Sequence, residues 1–130
     1  MSMMAENNLI IAGTSSTPQV SFNVSTQLCS LTGVSTPVDS MDFYRPIIQW
    51  VVDHQDVIAD DTKFEFQLNY FNSSSMKALL WLIQQISDLI QSGRNWHLVW
   101  VVIEEDEFML EGGEAIQSLI DSTLLIENRD

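Results

Sequence analysis

The stretch Leu68–Ile86, LNYFNSSSMKALLWLIQQI, decides how the chain is built. It opens by completing an alternation in which Phe64, Phe66, Leu68 and Tyr70 are interleaved with Lys63, Glu65, Gln67 and Asn69. That period of two marks a strand with one covered face. Beyond Asn72 the period changes. Met76, Leu79, Leu80, Ile83, Ile86 and Ile90 recur at helical spacing, Trp81, Leu82 and Leu89 widen the apolar face, and Gly93 is placed to close the helix. A strand passing straight into a long helix predicts an α/β fold. The asparagine and three serines at the junction pose the functional question, because a hydroxyl there can be a helix cap, a nucleophile or a phosphate acceptor.

Working outward, Trp96–Ile103, WHLVWVVI, is almost continuously apolar and predicts a central strand covered on both faces. The acidic turn Glu104–Glu107 ends it. From Glu107 to Asp121 the pattern is helical, although Gly112 and Gly113, at about 1 kcal/mol each in a helix interior, are expected to delay or break its start. Thr123–Ile126 reads as a short closing strand. On the other side, Phe43, Ile47, Trp50, Val51 and His54 define an amphipathic helix with Pro46 near its start and Asp39 or Ser40 as its cap. Gly33–Ser40, GVSTPVDS, has the composition of a loop. Leu9–Ala12, Val20–Val24 and Gln27–Leu31 read as short strands, and residues 1–8 are expected to be disordered. The sum is one α/β domain over residues 9–130, a mixed β-sheet with helices packed on it.

Composition removes several function classes. Five basic residues stand against eighteen acidic ones, for a net charge of -13. Such a surface repels nucleic acid and anionic membranes and suits either solubility or a protein partner with basic patches. The longest nearly apolar runs fall far short of the roughly 20 residues that span a bilayer. Cys29 is the only cysteine and has no internal disulfide partner. With no secretory-type leader in the chain, a cytoplasmic location is expected.

The candidate sites narrow further. Glu104, Glu105, Asp106 and Glu107 lack the spacing and glycine of a calcium loop, so a solvated turn is expected rather than a cation site. His54 and His97 have no partner at zinc-ligand spacing, and no phosphate-binding loop, dinucleotide fingerprint or nucleophile elbow is present. No cofactor or metal is expected. Cys29 reads as core. Of the residues in NSSS, one suffices to cap the helix, and no Glu or Gln stands three residues after a serine to complete a capping box. The surplus hydroxyls fit a phosphorylation site, since a phosphate adds about -1.5 to -2 charges at a helix end that accommodates anions. Two other readings stay open: a constitutive scaffold in which NSSS only caps, and a small metal-dependent hydrolase using the acidic turn and a junction serine.

A set of ordered motifs bears on the choice. They are T-x-x-T-P at Thr14–Pro18, G-x-S-x-P at Gly33–Pro37, F-Y-x-P-x-x-x-W at Phe43–Trp50, Tyr70–Lys77 as YFNSSSMK, and E-x-G-E at Glu111–Glu114. From about Leu9 to Ile126 the chain resembles the SiaC family of bacterial regulatory phosphoproteins. The resemblance implies a STAS-like fold, similar to that of anti-sigma-factor antagonists, with a phosphorylated hydroxyl at the strand-to-helix junction. It implies no enzymatic activity of the chain itself. It also implies a serine/threonine protein kinase and a phosphatase as partners, and an unmodified form that binds and activates a diguanylate cyclase, raising cyclic di-GMP and favouring biofilm. The family's modified threonine corresponds to Ser73, with Ser74 and Ser75 as alternatives. Partner binding then falls on Tyr70, Asn72, Ser73, Ser74 and Lys77. The family's P-E-N is Pro37, Val38 and Asp39 here, a departure beside the site.

Overall fold

In the computed structural model, which describes residues 8–130, the strands are β1 (Asn8–Ile11), β2 (Gln19–Asn23), β3 (Leu28–Ser35), β4 (Thr62–Phe71), β5 (Trp96–Ile103) and β6 (Leu124–Arg129). The helices are α1 (Ser40–Asp53), α2 (Ser73–Gln91) and α3 (Glu107–Gln117). The disorder expected of residues 1–8 lies outside the described residues as far as residue 7, and Asn8 pairs with Asn23 at the start of β1. The sheet order is β1-β2-β3-β4-β5-β6. The first three strands form an antiparallel meander, and the last four run parallel through α1, α2 and α3. The three parallel connections all advance along the sheet in one direction, which with the usual right-handed crossover puts all three helices on the same face, and residues of all three share one core. The result is a two-layer α/β domain.

The core lies between those layers. Phe64, Phe66, Leu68 and Phe71 of β4 and Leu98, Trp100 and Val102 of β5 meet Tyr44, Ile47 and Val51 of α1 and Leu79, Leu82, Ile83 and Ile86 of α2. β5 was expected to be central and covered on both faces; it stands second from the edge, with helices on one face only. Val99 and Val101 face the other way and are nevertheless buried. Arg129 on β6 reaches Glu65 on β4 at 3.0 Å and also pairs with Glu127, so its side chain crosses β5 on the helix-free face, where Val101 lies between the two partners. A long side chain that lays its stem over apolar surface does the work of a second layer.

Four expectations are corrected by the structure. The reading of Gly33–Ser40 as loop fails at its start, because β3 runs on through Gly33, Val34 and Ser35. The β3–β4 register slips there: Gly33 pairs with Leu68 and Val34 with Tyr70, leaving Asn69 as an extra residue in β4. Gly33 takes φ +116, which a side chain resists. A bulge shifts the pleat by one. Tyr70, expected in line with Leu68 on the covered face, therefore turns outward and Phe71 enters the core. Gly112 and Gly113 do not break α3. A Cβ on Gly112 would stand 2.7 Å from Phe71 Cζ, and one on Gly113 2.5 Å from Trp100 Cδ1, so the glycines let the helix lie against those rings. Pro46 falls past the first turn of α1, on its exposed side, because the helix starts at Ser40 under an Asp39 cap.

Cys29 is core, as its sequence context indicates. Burial pushes its thiol from an ordinary 9.0 up to about 12, against a smaller opposing effect of the Asn23 carbonyl. Burial raises the Tyr44 phenol as well, its bond to Ser35 working the other way. Both groups bind their protons more tightly folded than unfolded, so their contribution is intact below pH 9.0 and is lost as pH climbs toward the folded values. Urea unfolding should accordingly show stability falling above about pH 9, and a Cys29→Ala chain should show a shallower fall. An unchanged slope in Cys29→Ala contradicts the assignment.

Candidate functional site

The Tyr70–Lys77 segment sits at the C-terminal end of β4, where the strand hands over to α2. Asn72 is the N-cap in extended conformation, and its Oδ1 accepts the Ser75 N–H at 2.9 Å while its carbonyl accepts the Met76 N–H at 3.0 Å. One residue thus supplies the cap, and the three serines are left over. They have separate fates. Ser73 and Ser74 are exposed, whereas Ser75 is fully buried. The sequence carried a signal for this: Ser75 precedes Ala78, Leu79 and Leu82 at helical spacing and so belongs to the apolar face.

Around Ser75 lies a cluster of hydroxyls from three elements. Ser75 Oγ is 2.9 Å from Ser35 Oγ at the end of β3 and 3.2 Å from Ser40 Oγ at the start of α1. Ser35 Oγ meets the Tyr44 hydroxyl at 2.7 Å, and Ser40 Oγ meets Ser74 Oγ at 2.9 Å. Ser40, weighed in the sequence as a cap for α1, turns inward and leaves capping to Asp39, which accepts the Asp42 N–H. No local pattern announces this cluster, since the contacts of its serines with one another join residues 34 to 40 positions apart. Ser75→Ala leaves the buried Ser35 hydroxyl short of an acceptor, and should lower the unfolding free energy in urea by about 1–3 kcal/mol. A loss below half a unit, within the usual scatter of surface changes, contradicts that count.

The motifs read in sequence converge on this end of the sheet. Thr14 Oγ1 accepts the N–H groups of Ser16 and Thr17, and Ser16 passes its carbonyl to the Thr36 N–H at 2.7 Å. The Ser35 carbonyl takes the Asn72 N–H at 3.3 Å. Tyr44 closes the hydroxyl cluster, and Gly112 lies against Phe71. The bulge in β4 brings Tyr70 out beside α3, where its ring stacks on Phe108 at 5.4 Å and 17°. Phe108, which the sequence did not single out, is half-exposed and continues this apolar strip. On the other side of the serines, Val38, Met41, Ser74 and Lys77 line a shallow groove. Lys77 makes no ion pair among the described residues.

The cluster's chemistry is confined to hydroxyls and one amide. None of the hydrogen bonds of Ser73, Ser74 or Ser75 goes to a histidine, lysine or carboxylate among the described residues. Nor do three or more His, Cys, Asp or Glu residues come together to hold a metal ion among those residues. In the acidic turn, Asp106 caps α3 through Phe108 N–H and Met109 N–H. Glu104 and Glu105 adopt φ of 51° and 58°, their N–H groups held by the Arg129 carbonyl and Asn128 Oδ1. His97 lies 3.3 Å from Asp61 at the opposite end of the parallel strands, and His54 ends α1 with its ring stacked on Trp50. No helix among the described residues is long and apolar enough to cross a membrane.

A two-layer α/β domain with an exposed, capped hydroxyl turn and apolar side chains on either side has the build of a regulatory partner-binding domain. The chain belongs to the SiaC family of regulatory phosphoproteins, whose family model matches residues 11–127. It is 28% identical over 114 residues to an uncharacterised protein of Pseudomonas aeruginosa strain UCBPP-PA14, covering 85% of this chain and 88% of that one. Its fold superposes on SiaC of Pseudomonas aeruginosa with a TM-score of 0.82 at 24% identity, over 94% and 98% of the two chains. A further match, with a TM-score of 0.82 at 26% identity over 93% and 99%, is to the crystal structure of the diguanylate cyclase SiaD in complex with its activator SiaC from the same species.

Proposed function

We propose that this chain activates a diguanylate cyclase by binding it, that phosphorylation of Ser73 switches the binding off, and that the chain performs no catalysis itself. The observation that carries the reading is the contrast within NSSS: Ser73 is open to a modifying enzyme, while Ser75 is sealed beneath it. Ser74 is exposed too, but its hydroxyl already bonds Asn72 and Ser40, whereas the Ser73 hydroxyl has no bond among the described residues. A serine/threonine kinase transfers the terminal phosphoryl group of a nucleoside triphosphate to Ser73 Oγ, and the hydroxyl proton leaves to solvent. A phosphatase returns the hydroxyl by adding water across the P–O bond and releasing inorganic phosphate.

The fold tolerates that charge. The first turn of α2 holds no carboxylate, unlike those of α1 and α3, and a helix N-terminus favours an anion. The partner surface does not tolerate it. Tyr70, Asn72, Ser73, Ser74 and Lys77, extended by Phe108, form a mostly neutral patch, and a dianion at its centre must be desolvated when a partner closes over it. That the serines bond only hydroxyls and one amide among the described residues supports a binding role over hydrolysis. The matched complex of a cyclase with its activator supports the choice of partner. Cytoplasmic location is part of the same reading, since cyclase and kinase act there.

Phosphopeptide mapping of the protein isolated from its own cells tests it. Phosphate on Ser73 and none on Ser75 is expected. An unmodified Ser73–Ser75 segment across several growth conditions counts against the switch.

A further inference from the structure

The buried hydroxyls form a chain with a single direction. Asn72 Oδ1 accepts the capping Ser75 N–H, and an amide oxygen has no proton to give. Ser74 Oγ, 3.2 Å away, must therefore be the donor to it. A hydroxyl has one proton. With that of Ser74 engaged, Ser40 donates to Ser74; Ser75 then donates to Ser40, Ser35 to Ser75, and the Tyr44 phenol to Ser35. Five hydroxyls in line run from a buried ring in α1 to the cap of α2, each polarising the next.

We propose that Ser74 and Ser40 couple modification of Ser73 to the start of α1, so that a partner meets a displaced Val38–Met41 surface as well as a new charge. The proposal rests on the Ser73 reading. A phosphate on Ser73 hangs from the residue next to Ser74, and an ionised phosphoryl oxygen is a stronger acceptor than an amide. When the Ser74 side chain rotates about its Cα–Cβ bond to reach it, Oγ moves away from Ser40, which is left with a donor proton and no acceptor. Ser40 is almost wholly buried, and an orphaned buried donor is avoided by movement where movement is available. It is available here. Among the described residues the first turn of α1 is closed by its own bonds, Asp42 N–H to Asp39 Oδ1, Phe43 N–H to the Asp39 carbonyl and Arg45 to the Asp42 carboxylate, and the Ser40–Ser74 and Ser40–Ser75 contacts tie it to α2. Val38, fully exposed, and Met41 line the groove they share with Ser74 and Lys77, so displacement alters an apolar surface on the far side of the site from Tyr70.

Amide hydrogen exchange on the full chain, unmodified and with phosphoserine installed at position 73, tests this. Exchange at Asp42 and Phe43 is expected to quicken on the order of ten-fold with phosphorylation, the scale of one lost hydrogen bond. In Ser74→Ala, which takes the acceptor from Ser40 before any modification, exchange at Asp42 and Phe43 should already be quick and the phosphorylation-dependent difference should vanish; Ser74→Thr, which keeps the hydroxyl, should restore it. Equal exchange in the two forms of the natural chain, or a full response in Ser74→Ala, overturns the coupling. Cyclase binding measured on the same samples separates the two ideas. Loss of binding without a change in α1 leaves the Ser73 switch standing and removes the coupling, and a response in α1 with binding intact does the reverse.

Discussion

A Ser73→Asp or Ser73→Glu chain is expected to bind the diguanylate cyclase proposed as its partner on the order of ten- to a hundred-fold more weakly than the natural chain, and Ser73→Ala to bind it as tightly as the natural chain does. The argument is local. Ser73 makes no side-chain hydrogen bond among the described residues, so alanine removes nothing the fold uses. A carboxylate adds a charge between the Tyr70–Phe108 pair and the Val38–Met41 groove, where a docked partner excludes water. Loss of binding through unfolding is distinguishable, because an anion in the first turn of α2 should raise stability by about 0.3–1 kcal/mol. Calorimetric titration beside thermal melts reads both quantities. Equal affinities for the alanine and acidic variants contradict the switch, and so does a lowered melting temperature that accounts for the loss.

The second large effect lies in the core. Trp100 is buried, packs on Phe66 and Phe71 with ring centroids 6.4 and 6.1 Å away, and donates its indole N–H to the Met109 carbonyl at 2.8 Å. Trp100→Ala should cost about 3–5 kcal/mol, a large share of what a domain of this size has. Gly113→Ala should cost about 1–3 kcal/mol by overpacking, since its Cβ arrives 2.5 Å from the indole, and this outweighs the roughly 1 kcal/mol a helix gains from alanine. With Trp100 already replaced by alanine the collision is gone and Gly113→Ala should stabilise. A double-mutant cycle in urea measures the change of sign. The same cost in both backgrounds means the glycine is there for another reason.

Periodicity made most of the fold legible. The handover from β4 to α2, the extent of β5 and the apolar face of α1 all follow from spacing alone, as does the α/β class. What escaped depends on contacts distant in sequence. The bulge at Asn69 answers a glycine on β3, and it exchanges Tyr70 for Phe71 in the core. Gly112 and Gly113 look like helix breakers until the Phe71 and Trp100 rings are set beside them. Val99 and Val101 read as covered by a second layer, when a cross-strand arginine on an otherwise helix-free face does the covering. At the site, capping rules place the cap within NSSS, and the structure is what selects Asn72 and starts the helix at Ser73. Ser35, Ser40 and Tyr44 carry no local signal, because a buried serine at a strand end looks like any loop serine until its partners are in place.

The most direct measurement is a titration of the cyclase with this chain in two chemically defined forms, one carrying phosphoserine at position 73 and the other treated with phosphatase. Tight binding and cyclase activation by the dephosphorylated form, with both lost in the phosphorylated form at unchanged fold, is the predicted result. Equal binding and activation by the two forms would contradict it.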